Sequence, residues 1–405
     1  MLNKLKDKLR KVFVVLVSYF TKIFLILAGY LPARKKMIMF ESFSGRQYSC
    51  NPRAIYEYMV ENHPEYEMYW SIDRRHADNF KEYQLKTVKR YSVKWLYVLG
   101  FSRFWVINGR MPLTIPKPRH TRYIQTWHGT PLKKLVFDMK EVHMANADTE
   151  KYKENFYKES RGWDVLLSPN HYSTEIFKRA FRFDKEIVEA GYPRNDVLYT
   201  GNSLENIQRI KERLGLPLDK KVILYAPTWR DNQFYRVGQY KFDLPIDLKE
   251  LQKRYGQNTI ILLRMHYLVA ENFDLRPYEG FAYDFSQKVD INDLYLVSDL
   301  LITDYSSVFF DYANVLRPML FYTYDIEEYR DVLRGFYFDI EKEVPGPLVK
   351  EMTGLIKVLD EFHQLGEFAL YRERYQEFYQ KYCYLEDGKA SKRVVEQTIL
   401  NPKKN

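Results

Sequence analysis

The sequence predicts an α/β protein built from two parallel-sheet domains, followed by helices. Three observations carry this. At 405 residues the chain is too long for one ordinary core. Short apolar runs of strand length alternate with segments of helical spacing, the pattern of parallel βαβ units. A polar stretch over 199–221, with Gly201, Asn202, Pro217 and Asp219, divides the alternation into two series. Hydrophobic residues at 46% support extensive burial and exclude wholesale disorder.

The first eleven residues carry Lys4, Lys6, Lys8, Arg10 and Lys11, and residues 12–31 are then almost wholly apolar. That length approaches the ~20 residues that span a bilayer. Lys22 falls near the middle, where a charge is expensive. Basic residues at both ends, including Arg34, Lys35 and Lys36, give no orientation bias. No small-residue cleavage site follows, which argues against a removed signal peptide. The expectation is a helix lying in the cytoplasmic leaflet, with a single span or a buried core helix as the alternatives.

The strand–helix rhythm begins with Met37-Ile38-Met39-Phe40, and Asn51-Pro52 opens a helix through Val60. Further strands are expected at 68–72, 105–108, 123–127, 165–168 and 187–192. In the second series they are expected at 222–225, 259–263, 281–283, 300–303, 319–322 and 336–338, with helices alone from about residue 349. The section 74–122 is basic and interleaved with Tyr, Trp and Phe, which suits a nucleic-acid or a membrane surface. The N-terminal helix favours lipid. A net charge of +10 points to an anionic partner without choosing one. Cys50 and Cys383 form neither a metal cluster nor a disulfide framework, so a reducing compartment is expected.

Several strands end in a small polar or basic cluster. Tyr225-Ala226-Pro227-Thr228-Trp229-Arg230 follows the first strand of the second series, and Arg264-Met265-His266 the second. Thr303-Asp304-Tyr305-Ser306-Ser307 follows the fourth and opens a helical pattern. In a parallel sheet these ends share one edge, where ligands bind. Arg264 can grip phosphate oxygens, His266 can donate hydrogen bonds or protons, and a helix start at Ser306 and Ser307 suits an anion. An ordinary Ser N-cap on a crossover is the structural alternative. In the first series Gln125-Thr126-Trp127-His128-Gly129-Thr130-Pro131 puts an imidazole at a strand end beside residues that let backbone approach a ligand. P-loop, zincin and serine-hydrolase motifs do not occur.

These motifs, with Asp290-Ile291-Asn292-Asp293-Leu294, residues 298–311 and Asp387-Gly388-Lys389-Ala390-Ser391, resemble the CDP-glycerol glycerophosphotransferases of teichoic acid synthesis. The resemblance covers about residues 37–393. It implies a GT-B-like fold, two Rossmann-like domains facing across a cleft, with an N-terminal membrane-associated helix and C-terminal helices. On that basis residues 1–35 form the membrane helix, 36–205 an acceptor-side domain, 206–370 a CDP-alditol-binding domain and 371–405 the C-terminal helices. The implied reaction moves glycerol phosphate from CDP-glycerol to a hydroxyl of a membrane lipid-linked precursor and releases CMP. A CDP-ribitol donor, or a nucleotide-sugar glycosyltransferase on the same fold, is the alternative enzyme. A peripheral protein that binds anionic lipid without catalysis is the alternative outside enzymes.

Carried over by motif, the resemblance implies catalytic roles for His128 and His266. Trp127, Gly129, Thr130, Pro131, Arg194, Pro227, Thr228, Arg264, Met265, Ser306, Ser307 and Asp311 would line the substrate site. Phosphoryl transfer is largely positioning plus electrostatics, so neither metal nor cofactor is expected. The implied partners are CDP-glycerol or CDP-ribitol, an undecaprenyl-diphosphate-linked saccharide acceptor and an anionic membrane surface, with no nucleic acid. The expected location is the cytoplasmic face of the cell membrane, peripherally bound. Some polymerising members carry a long N-terminal extension that this sequence lacks, which suits a primase-like or short-chain transferase, but length is poor evidence for processivity and leaves primase versus polymerase and product length open.

Overall fold

The computed structural model describes residues 2–142, 148–228, 234–236, 239–240, 244–265, 274–330 and 335–402. Helix α1 (Leu2–Ala28) leads into the first series: β1 (Arg34–Glu41), α2 (Cys50–Asn62), β2 (Glu67–Ile72), β3 (Thr87–Lys89), α3 (Val93–Phe101), β4 (Ser102–Ile107) and β5 (Arg122–Gln125). It continues through α4 (Thr149–Ser160), β6 (Val165–Ser168), α5 (His171–Ala180) and β7 (Glu186–Glu189). These strands form one sheet in the order β3-β2-β1-β4-β5-β6-β7, every neighbour pair parallel. Order reverses between β1 and β4, which opens a crevice at their carboxyl ends.

Helices α6 (Asp196–Thr200) and α7 (Leu204–Arg213) connect to the second series. It runs β8 (Lys221–Ala226), a short antiparallel pair β9 (Phe234–Arg236) and β10 (Gln239–Tyr240), α8 (Leu248–Tyr255), β11 (Thr259–Leu263) and β12 (Ala282–Asp284). Then come α9 (Ile291–Val297), β13 (Leu300–Thr303), α10 (Val308–Tyr312), β14 (Met319–Tyr322) and β15 (Leu348–Val349). The second sheet is also parallel, in the order β12-β11-β8-β13-β14-β15, and reverses between β8 and β13. The chain therefore forms two parallel-sheet α/β domains of GT-B-like architecture.

The central strands read as continuous apolar runs because both of their faces are covered. Along β1, Met37 and Met39 enter a cluster with Trp95 and Trp105, while Ile38 and Phe40 enter another with Ile55 and Trp70. Along β8, Val222 and Leu224 pack with Leu294 and Phe309, and Ile223 and Tyr225 with Leu251 and Leu355. Each such fully buried side chain contributes about 1.5–3 kcal/mol.

Three expectations change. The run 336–338 is not a sheet strand. Phe336 instead bridges Lys133 of the first domain, and Tyr337 donates its N–H to the Leu132 carbonyl at 2.9 Å, so this backbone is spent between domains. Strands β3 and β15, of three and two residues, were missed because so short a segment carries no alternation. The third change concerns α1. It forms, but Thr21, Leu25 and Ala28 are buried, and Phe24 packs into the cluster that holds Trp95, Val98 and Leu99 of α3. Among the described residues no helix is long and apolar enough to cross a membrane, so the single-span alternative is set aside.

The C-terminal helices divide between the domains. Phe378 and Tyr382, on the helix Arg372–Tyr382, join the second domain's cluster with Phe309 and Phe310. Val394 and Val395, on the helix Ala390–Val395, return to pack with Ile38 and Val188 of the first domain. The Asp196 carboxylate accepts the N–H groups of Ala390 and Ser391, each at 2.8 Å, and fixes that return.

Candidate active site

Strand β5 ends at Gln125, and the next turn sets His128 on the cleft wall. Trp127 takes a left-handed φ of 51°, which costs a bulky residue energy and must be held by its surroundings. The Gln125 side-chain oxygen accepts the Trp127 N–H at 3.0 Å, and the Asn51 amide donates to the Thr126 carbonyl at 3.0 Å. The indole lies in the core against Phe156, Phe177 and Phe181 and stacks on the His128 ring, centroids 4.7 Å apart. Trp127 thus anchors and orients the histidine from behind.

His128 Nδ1 lies 3.1 Å from the Asn108 carbonyl oxygen, which can only accept. The proton therefore sits on Nδ1 and the lone pair on Nε2. Desolvation pulls the imidazole pKa down; the Asn108 bond opposes this, and the Arg194 charge reinforces it. The pKa is pulled down to about 4. The ring keeps an exposed edge, which tempers the desolvation without reversing it, so it is neutral at pH 7.

At the carboxyl edge of the second sheet, two loops are tied together. The Asp304 carboxylate accepts the Thr228 N–H at 2.7 Å, and Thr303 donates its hydroxyl to the Ala226 carbonyl at 2.7 Å. Pro227 and Thr228 are buried in this junction. Ser306 and Ser307 are half-buried, and their hydroxyls make no hydrogen bond among the described residues. Ser307 stands at the N-cap of α10 without capping it, so the ordinary-cap alternative does not account for its hydroxyl. The helix is only five residues long, so its dipole is a minor part of any anion site.

The two motifs meet. A Cβ placed on Gly129 would stand 3.1 Å from the Ser307 hydroxyl oxygen, so the loop of His128 touches the serine turn across the cleft. Glycine keeps that approach open. The Gly129 carbonyl accepts the Tyr192 hydroxyl at 3.1 Å, and the Pro131 carbonyl accepts the Tyr172 hydroxyl at 2.8 Å. Thr130 is buried between them.

Other residues expected at the site have partners of their own. Arg264 directs Nη1 to the Phe285 carbonyl at 2.5 Å. Met265 belongs to the core cluster with Leu263 and Phe281, so its side chain packs and does not line the cleft. Its N–H donates to the Ser286 hydroxyl at 3.0 Å. Arg194 and Asp311 bind each other: Arg194 Nη2 lies 2.9 Å from both carboxylate oxygens, with both residues buried. Their pairing ties the first domain to the second. Arg53 with Asp290 at 3.0 Å, and the Asn292 amide on the Arg194 carbonyl at 2.9 Å, do the same. His266, with Trp229 and Arg230, lies outside the described residues.

Motif reading passed over three residues. Asn51 links the turn of His128 to the Arg194 loop, accepting the Arg194 N–H at 3.1 Å; in the sequence it shows only as a residue before Pro52. Asn108 holds His128 through its carbonyl and the Phe43 N–H through its side chain at 2.8 Å. Glu386 is buried beneath Arg194 and Asp311, accepting from the Tyr192 N–H at 2.9 Å and the Asn195 amide at 3.1 Å. Its only visible signal was adjacency to Asp387-Gly388.

Residues 23–400 match the family model described as CDP-Glycerol:Poly(glycerophosphate) glycerophosphotransferase. The chain is 57% identical over 396 residues to a teichoic acid poly(glycerol phosphate) polymerase of Bacillus subtilis (strain 168), covering 97% of this chain and 53% of that protein. It thus spans about half of that relative's length. A polymerase of the same description from Bacillus spizizenii is 54% identical over 387 residues, covering 95% of this chain and 97% of its own. A poly(ribitol-phosphate) polymerase of Bacillus spizizenii is 27% identical over 379 residues, covering 91% of this chain and 57% of its own. Among solved structures, the wall teichoic acid polymerase TagF aligns at a TM-score of 0.86 with 43% identity, covering 98% of this chain and 97% of that one. A histidine-to-asparagine variant of TagF soaked with CDPG aligns at 0.87.

Proposed function

The chain belongs to the CDP-glycerol:poly(glycerophosphate) glycerophosphotransferase family, and from there we propose that it transfers glycerol phosphate from CDP-glycerol to a hydroxyl of a lipid-linked teichoic acid precursor, releasing CMP. The observation that carries the reading is the meeting of the neutral His128 with the uncommitted Ser306 and Ser307 hydroxyls across the Gly129 contact. A base and a hydrogen-bonding cradle for phosphate oxygens then face one another.

In this mechanism His128 Nε2 takes the proton of the acceptor hydroxyl as its oxygen attacks the β-phosphorus of the donor. The new oxygen–phosphorus bond forms as the bridge to the α-phosphate breaks, and CMP leaves with that bridging oxygen. The Ser306 and Ser307 hydroxyls hold the pyrophosphate, with Arg264 and His266 offsetting its charge. The Arg194–Asp311 pair keeps the two walls in register. The higher identity to the glycerol phosphate polymerases favours glycerol over ribitol, and those relatives favour repeated transfer over a single priming step. We place the protein peripherally on the cytoplasmic face of the membrane through α1, whose outer face exposes Leu16, Tyr19, Phe20, Ile23 and Leu27.

The test measures nucleotide release on membrane-bound acceptor with CDP-glycerol, CDP-ribitol and UDP-sugars. CMP should appear with CDP-glycerol. His128→Ala should lower turnover by about 10²-fold or more while the donor Kd changes little. Turnover surviving in that variant refutes the base assignment, and release from UDP-sugars alone refutes the donor.

A further inference from the structure

The carboxyl edge of the first sheet holds a second concavity that the transfer mechanism leaves unused. It is a cavity of about 420 Å³ lined by Ser44, Arg46, Asp73, Arg74, Arg75, Arg90, Tyr91, Arg110 and Pro112. Ser44 and Arg46 follow β1, Asp73 to Arg75 follow β2, Arg90 and Tyr91 follow β3, and Arg110 and Pro112 follow β4. Those four strands are adjacent, and the next strand in the sheet, β5, leads to His128. The cavity therefore occupies the β1/β4 crevice, where the strand order reverses.

Its charge is unbalanced. Among the described residues Arg74, Arg75, Arg90 and Arg110 meet three carboxylates: Asp73 on the wall, paired with Arg75 at 2.6 Å, Glu41 behind Arg90 at 3.2 Å and Glu159 behind Arg110 at 2.5 Å. Arg74 is exposed and makes no ion pair among the described residues. Arg90 is buried and donates to Glu41 and to the Ser44 carbonyl at 2.9 Å, and its Nε has no hydrogen-bond partner among the described residues. Planar guanidinium groups match phosphate oxygens in pairs.

The cavity also abuts the catalytic wall. Phe43, next to Ser44, packs its ring against His128 with centroids 5.7 Å apart. Asn108, two residues before Arg110, holds His128 Nδ1. Two residues of chain span at most ~7 Å.

We propose that this arginine-lined cavity is the phosphate subsite for the acceptor: it takes the phosphodiester or diphosphate oxygens next to the hydroxyl that attacks, and so holds that hydroxyl against His128. Calling the ligand an acceptor rests on the transfer reading above. The basic section 74–122, which composition assigned to a membrane or nucleic-acid surface, thereby contributes a bounded anion site.

Direct binding tests it on the full-length protein. The probes are a short lipid-free oligo(glycerol phosphate), inorganic phosphate and phosphatidylserine vesicles, each against wild type, Arg74→Ala and Arg74→Ala/Arg75→Ala, with the CDP-glycerol Kd as the control for folding. The oligomer Kd should rise about tenfold in Arg74→Ala, the scale of one charge-assisted hydrogen bond, and further in the double variant. The CDP-glycerol Kd and vesicle binding should hold. An unchanged oligomer Kd overturns the proposal, as does loss confined to vesicles, which would make this a headgroup contact. Inorganic phosphate binding as tightly as the oligomer overturns the acceptor assignment. Intact, arginine-dependent oligomer binding without CMP release from CDP-glycerol would refute the transfer reading and leave the subsite standing.

Discussion

The two nitrogens of His128 have different neighbours, and that difference fixes what the residue can do. Nδ1 is committed to the Asn108 carbonyl, so only Nε2 can accept a proton. Desolvation pulls the pKa down to about 4, against the Asn108 bond and with the Arg194 repulsion. A base works unprotonated, so lowering its pKa extends activity towards acid. The acidic limb of kcat/KM for CMP release should therefore fall near pH 4, well below the 6.5 of an ordinary histidine. A limb at 6.5 would mean that water solvates the ring fully. The same shift costs stability in acid: the unfolded chain binds the proton between about pH 6.5 and 4 and the native state does not, so stability falls as pH falls through that window.

At the scale of elements, the loop after β7 and the segment before the helix Ala390–Val395 lock together through Glu386. Burial pushes its pKa up to about 8, against hydrogen bonds from the Tyr192 N–H and the Asn195 amide, with Asp311 and Asp196 adding to the rise. Its Oε2 has no hydrogen-bond partner among the described residues, and the raised pKa keeps the carboxyl protonated at pH 7. The native state holds a proton that the unfolded chain releases above about pH 4.5. Stability from this group is present below that pH and is lost as pH rises towards 8. Glu386→Gln keeps the shape and removes the titration. Urea unfolding at pH 5 and pH 8 should then show a smaller loss of stability at the higher pH than wild type. An unchanged difference would assign the slope to another group.

For the whole molecule, α1 has two apolar faces with different fates. Thr21, Leu25 and Ala28, spaced for one helix face, are buried, and Gly100 leaves room for the Phe24 ring beside them. On the other side Leu16, Tyr19, Phe20, Ile23 and Leu27 stay exposed. Burying a side chain such as Leu or Ile in lipid contributes about 1.5–3 kcal/mol each. Leu16→Glu/Ile23→Glu should therefore abolish sedimentation with anionic vesicles, while the CDP-glycerol Kd holds because the cleft is untouched. Vesicle binding that survives the pair would move the membrane contact off this face.

The sequence by itself determined the two parallel sheets, most of their strands and the strand-end motifs, because buried strands need continuous apolar runs and ligand loops need small or polar residues after them. It also placed His128, Ser306 and Ser307 at ends of strands, where such chemistry belongs. Only the tertiary structure decided which motif side chains face the cleft. Met265 and Trp127 went to the core, and Arg194 and Asp311 were spent on each other, since a buried charge is satisfied by whichever partner the packing brings near. The sequence also could not show that arginines 46, 74, 75, 90 and 110 share one cavity. They are separated by up to 64 positions, and only the order β3-β2-β1-β4 gathers their loops on one edge.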